Sequence, residues 1–90
     1  MGNHPPKDHP PSKAFGQAAR EIRKERGLSQ EQAALNSHID RAYYGHIERG
    51  KKSATLRTIW KMAAALGVPP SAIFARAERI LEAPTNPSDT

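Results

Sequence analysis

The residues best suited to chemistry lie between positions 41 and 53. Arg41, Ala42, Tyr43 and His46 sit close together, and Arg49, Lys51, Lys52 and Ser53 follow. Their shared chemistry is hydrogen bonding and charge, not bond making. A guanidinium can bond guanine O6 and N7 together, worth about 1–3 kcal/mol of discrimination, and an alanine methyl can touch the methyl of thymine. Tyr43 and His46 can each donate to a base edge or a phosphate. Arg49, Lys51, Lys52 and Ser53 suit phosphates, which fix register on a duplex but carry no sequence information. On a helix, the first half of this segment turns Arg41, Ala42 and Tyr43 outward together, with His46 one turn later. The other reading of Arg41 and Tyr43 is an ordinary exposed helix surface.

Other chemistries find no footing. There is no cysteine, so neither a disulfide framework nor a thiolate zinc site is available. His4 and His9 lie in a proline-rich stretch. His38 and His46 are eight apart with no clustered carboxylates, which argues against metal ligation. No phosphate-cradling glycine loop and no Ser-His-Asp arrangement is present, so neither an enzyme nor a cofactor is expected. No apolar run reaches the roughly 20 residues of a membrane span, and the N-terminus lacks the apolar region of a signal peptide. The expected location is cytoplasmic, associated with the nucleoid.

Ninety residues with 37% hydrophobic content allow one domain with a small core. Such a core is marginal alone, and oligomerisation is a common remedy. The net charge is +5. From Arg20 to Lys61 ten Lys and Arg stand against five Asp and Glu, while outside that window four stand against four. The whole excess therefore surrounds the candidate residues, as a polyanion binder requires. A merely solubilising basic surface is the alternative.

The elements that must hold these residues are helical. Residues 1–12 carry four prolines and no large apolar residue after Met1, and read as a disordered arm. Its Lys7 could follow the minor groove, as arms do in some DNA-binding proteins, or the arm could be a plain tail. A first helix over about 13–26 places Phe15, Ala19 and Ile22 on one stripe, and Gly27 suits its C-terminal cap. A second opens at Ser29, with Gln32 completing a capping box. A third is capped by Asp40 and runs to Arg49, with Ile39 and Tyr44 at the positions of a hydrophobic staple. A fourth starts at Thr55 and carries Leu56, Ile59, Trp60, Ala63 and Leu66 at helical spacing, with Trp60 expected in the core. A fifth follows Pro69-Pro70, which fit a first helical turn. No alternating β-branched run predicts a strand. The domain should span 13–82, with residues 83–90 a flexible tail.

The segment Gly27-Leu28-Ser29-Gln30-Glu31, then Ala34, Ile39, Ile47-Glu48-Arg49-Gly50-Lys51, Leu56 and Ala65-Leu66-Gly67-Val68 with Ile73-Phe74 resembles the repressor-type helix-turn-helix family, the lambda-repressor/Cro-like or XRE-like regulators of bacteria and phages. The likeness covers about residues 15–75. It implies an all-α, compact five-helix bundle whose third helix reads double-stranded DNA in the major groove. It implies a phosphate contact at Gln30, beside the Ser29 cap that exposes helix N-terminal amides to an anion. It also implies an ion pair between Arg23 and Glu48, tying the third helix to the first.

Four positions depart from the family pattern. His38 stands where the turn usually has glycine, and should take a positive φ at some steric cost. Gly45 lies inside the reading helix and costs about 1 kcal/mol relative to alanine. It either lets the helix approach a phosphate or is simply tolerated. Tyr44 takes an inward position usually held by Ile or Val, and its hydroxyl must find a partner or reach the surface. Asp40 replaces a more usual Ser or Thr cap.

Family members usually bind near-palindromic sites as homodimers, with reading helices about 34–36 Å apart. Phe74, Ala77, Ile80 and Leu81 form the best dimer surface, unless they pack within their own chain. The expected function is sequence-specific DNA binding and transcriptional regulation. The rival is a protein-interaction module that docks a toxin or an RNA polymerase subunit, with DNA binding secondary.

Overall fold

The computed structural model describes residues 9–83, and among them five helices and no strand occur. α1 spans Pro10–Glu25, α2 Gln30–Ser37, α3 Arg41–Glu48, α4 Leu56–Leu66 and α5 Pro70–Glu82. This is the all-α bundle expected from the sequence. Most of the stretches read as arm and tail, residues 1–8 and 84–90, lie outside the described residues.

One boundary moves. Pro10, Pro11 and Ser12 form the first turn of α1 instead of belonging to an arm. Proline costs nothing at the start of a helix because its missing N–H has no intrahelical partner there. His9 completes the start, its Nδ1 accepting from the Ser12 amide at 3.2 Å.

The other starts follow from side-chain caps. Ser29 and Gln32 form the reciprocal box, with the Gln32 amide donating to Ser29 Oγ at 3.0 Å and the Ser29 amide to Gln32 Oε1 at 2.9 Å. The Asp40 carboxylate accepts from the Tyr43 amide at 3.1 Å, and Thr55 Oγ1 from the Thr58 amide at 3.1 Å. Each such cap is typically worth about 1 kcal/mol.

α1 is the central element and packs against α3, α4 and α5. Its buried Phe15, Ala18, Ala19 and Ile22 meet Tyr44 and Ile47 of α3, Met62 and Leu66 of α4 and Ile73 of α5 in one core. Ala33 and Ala34 bring α2 into the same cluster, where small side chains let helices approach closely. Gly16 permits the tightest approach. A Cβ there would run into the carbonyl oxygens of Ile47 and Glu48, backbone atoms at the end of α3.

Three expectations about packing are corrected. Trp60 is 59% exposed and Leu56 is 70% exposed, so neither is core. The buried stripe of α4 runs through Ile59, Met62, Ala63 and Leu66, and the 56–60 pair falls on its flank. Ala77 is no surface residue, because α5 lies along α1 and turns Ala77 and Ile73 inward. Tyr44 is fully buried, yet among the described residues its hydroxyl neither reaches solvent nor finds a hydrogen-bond partner.

Candidate nucleic-acid interface

α2 and α3 are joined by a turn through His38, Ile39 and Asp40. His38 takes the left-handed conformation, with φ 57° and ψ 41°, as its position in the turn requires. The reversal is closed by the Ile39 amide donating to the Ala34 carbonyl at 3.0 Å. Ile39 packs partly buried against the core and anchors the start of α3.

The far end of α3 is anchored by charge. Arg23 Nε donates to Glu48 Oε2 at 2.7 Å and Arg23 Nη2 to Glu48 Oε1 at 3.0 Å. The two side chains are only 9% and 1% exposed. Arg23 Nη1 also donates to the Leu28 carbonyl at 2.9 Å, so the guanidinium holds the loop before α2 as well. The hydrogen bond to Glu48 raises the Arg23 pKa against the opposing effect of burial. Gln30 joins this network through Nε2, which donates to Glu48 Oε1 at 2.9 Å. Gln30 therefore also braces α2 against α3, a role beyond its expected phosphate contact.

Between these anchors, α3 leaves Arg41 and Ala42 exposed, with Tyr43 and His46 half-buried beside them. The Tyr43 hydroxyl lies 3.5 Å from the Ser53 carbonyl, which steadies the ring against the loop after α3. That loop folds onto the helix end, the Lys51 amide donating to the His46 carbonyl at 2.8 Å. Lys51, Lys52 and Ser53 are exposed, and Ser29 stands exposed at the start of α2. Base-reading and phosphate-binding candidates from both helices and the loop thus sit on one rigid unit. Arg49 departs from the others. Its guanidinium folds back over Gly45, and its Nη2 lies 3.2 Å from His46 Nδ1.

Sequence reading missed Ser12 and Gly16. Ser12 Oγ lies 2.7 Å from Ser53 Oγ, tying the start of α1 to the basic loop. The signal was present: Pro10-Pro11 opens a helix as Pro69-Pro70 does. Gly16 carried no such signal, since its need arises from a neighbour distant in sequence.

The expected dimer residues divide. Ala77 is buried and Ile80 leans on the core, whereas Phe74 and Leu81 are 41% and 48% exposed. The Phe74 ring tilts against Phe15 with centroids 5.7 Å apart. Among the described residues no helix is long and apolar enough to cross a membrane.

Known proteins share this arrangement. The family model described as helix-turn-helix matches residues 20–73, and the chain belongs to that family. The control protein C.MunI of a Mycoplasma species is 39% identical over 66 residues, covering 72% of this chain and 89% of that protein. The restriction-modification controller protein C.AhdI from Aeromonas hydrophila matches with a TM-score of 0.72 and 42% identity, over 73% of this chain and all of that one. The controller protein C.Esp1396I, solved as a tetramer in complex with its natural 35 base-pair operator, matches with a TM-score of 0.74 and 25% identity over 80% of this chain and 95% of that one.

Proposed function

We propose that this chain is a sequence-specific DNA-binding transcriptional regulator that places α3 in the major groove, as a homodimer on a near-palindromic operator. The observation that carries this reading is the double anchoring of α3. Ile39 and the Arg23–Glu48 pair fix both ends of a helix that presents Arg41 and Ala42 outward together. A rigid rod with projecting donors matches the demands of groove recognition.

The roles follow from position. Arg41 reads guanine, Ala42 meets a thymine methyl, and Tyr43 and His46 contact base or phosphate. Ser29, Gln30, Lys51, Lys52 and Ser53 set register on the backbone. Phe74 and Leu81, flanked by Ile80, supply the apolar part of the dimer face. The restriction-modification controller proteins among its relatives favour a restriction-modification setting.

Footprinting the full chain on its own upstream region tests this. One protected stretch with two-fold symmetry, surviving an excess of random competitor DNA, is the expected result. Protection that random DNA removes equally well would overturn it.

A further inference from the structure

We infer that Arg49 is a positioning residue for His46, that Gly45 makes room for it, and that the pair determines which bases His46 accepts. The inference rests on the DNA-reading role proposed above.

The geometry assigns the proton. Arg49 Nη2 lies 3.2 Å from His46 Nδ1. A guanidinium has only N–H groups to offer, so Nδ1 must be the acceptor. With Nδ1 accepting from Arg49, the ring's N–H is on Nε2. Among the described residues no other hydrogen bond holds the ring, so Nε2–H is its remaining polar group. In the major groove, guanine O6 and N7, adenine N7 and thymine O4 accept such a donor. The amine of cytosine offers only hydrogen and repels it. His46 therefore selects against cytosine at one position in each half-site. A ring freed from Arg49 can place its proton on either nitrogen and loses that selectivity.

Gly45 explains why Arg49 can reach. A Cβ at position 45 would lie 3.0 Å from Arg49 Nη1 and 3.3 Å from Gln30 Oε1. The guanidinium occupies the space that a side chain would claim. An alanine there favours the helix and at the same time makes the guanidinium give by a few tenths of an ångström, loosening its contact with His46. Gly45→Ala thus separates helix stability from His46 positioning.

The test uses the full chain, with Arg49→Met and Gly45→Ala. Nitrogen-15 NMR of the imidazoles, with the His46 signals assigned by His46→Gln, reports the state of each ring nitrogen in the free protein. In the wild type, Nδ1 should carry the shift of a hydrogen-bonded acceptor and Nε2 the proton. In both variants Nδ1 should move toward its free value, with some Nδ1–H form present. Unchanged ring signals in both variants overturn the positioning role. Selection from a pool of randomised duplexes reads the consequence. The wild type should recover a site that excludes cytosine at one position per half-site. The variants should recover the same site with that exclusion weakened about tenfold. Cytosine still excluded by both variants overturns the specificity role. A pool that enriches no sequence with any of the three proteins counts instead against DNA reading, while the ring signals still decide whether Arg49 positions His46.

Discussion

Arg23 and Glu48, twenty-five residues apart in sequence, meet in the interior through two hydrogen bonds of 2.7 Å and 3.0 Å. One lies on the central helix and the other on the last turn of α3, so this contact decides how α3 is held. Breaking a buried pair leaves an uncompensated charge, at a cost of about 3–5 kcal/mol. Glu48→Ala or Arg23→Ala should lose that much stability in urea unfolding. The double replacement Arg23→Met with Glu48→Leu should recover most of it, because no charge is then stranded. Single variants as stable as wild type would show that the pair does not hold α3.

Tyr44→Phe should stabilise the protein. The buried hydroxyl has no partner among the described residues, and an unsatisfied buried polar group costs about 1–3 kcal/mol. Burial also pushes the Tyr44 pKa well above the ordinary tyrosine value, with the Glu48 charge adding to the rise. The folded state therefore keeps a proton that the unfolded chain releases. Stability is full below about pH 10, the unperturbed tyrosine value, and falls as pH rises beyond it. Tyr44→Phe should remove that share of the alkaline loss. A Phe variant with a lower melting temperature and the same alkaline profile would contradict both statements.

Gly16→Ala should be destabilising even though alanine is the better helix former. The added Cβ meets the carbonyl oxygens of Ile47 and Glu48, and backbone cannot step aside as a side chain can. Overpacking of this kind costs about 1–3 kcal/mol. Since the strain falls on the end of α3, DNA affinity should drop by more than the loss of folded protein accounts for. Thermal unfolding and binding measured on the same sample check this. A variant with unchanged stability would mean α1 and α3 have slack between them.

Leu81→Asp should shift the proposed homodimer toward monomer in sedimentation experiments while leaving the helical content intact, because Leu81 is about half exposed and outside the core. Affinity for a two-half-site duplex should fall, and affinity for a half-site should not. A dimer that survives this change would move the interface to another exposed apolar face, with Leu56 and Trp60 the first to test.

The fold was legible because its signals are local. Ser29 with Gln32, Asp40, Thr55 and Pro69-Pro70 announce helix starts, and His38 takes the positive φ that the turn between α2 and α3 needs. The Arg23–Glu48 pair was reached through family resemblance. What escaped the sequence depends on how helices rotate and approach one another. Helical spacing alone could not place Trp60 on the flank of α4 or turn Ala77 inward, since a stripe's edges are set by neighbouring helices. Nor could it reveal that Gly16 faces a carbonyl pair or that Arg49 folds back over Gly45. The site's residue types were visible, but the hydrogen bonds that orient them are tertiary.

The most direct test of α3 as a groove reader compares Arg41→Ala with Lys51→Ala on a selected duplex and on a scrambled one, across a range of salt. Arg41→Ala should weaken the selected duplex most and relax preference at one base position, by about 1–3 kcal/mol. Lys51→Ala should weaken both duplexes alike and lower the salt slope by about 1. If the two variants lose the same affinity on both duplexes, α3 does not read sequence.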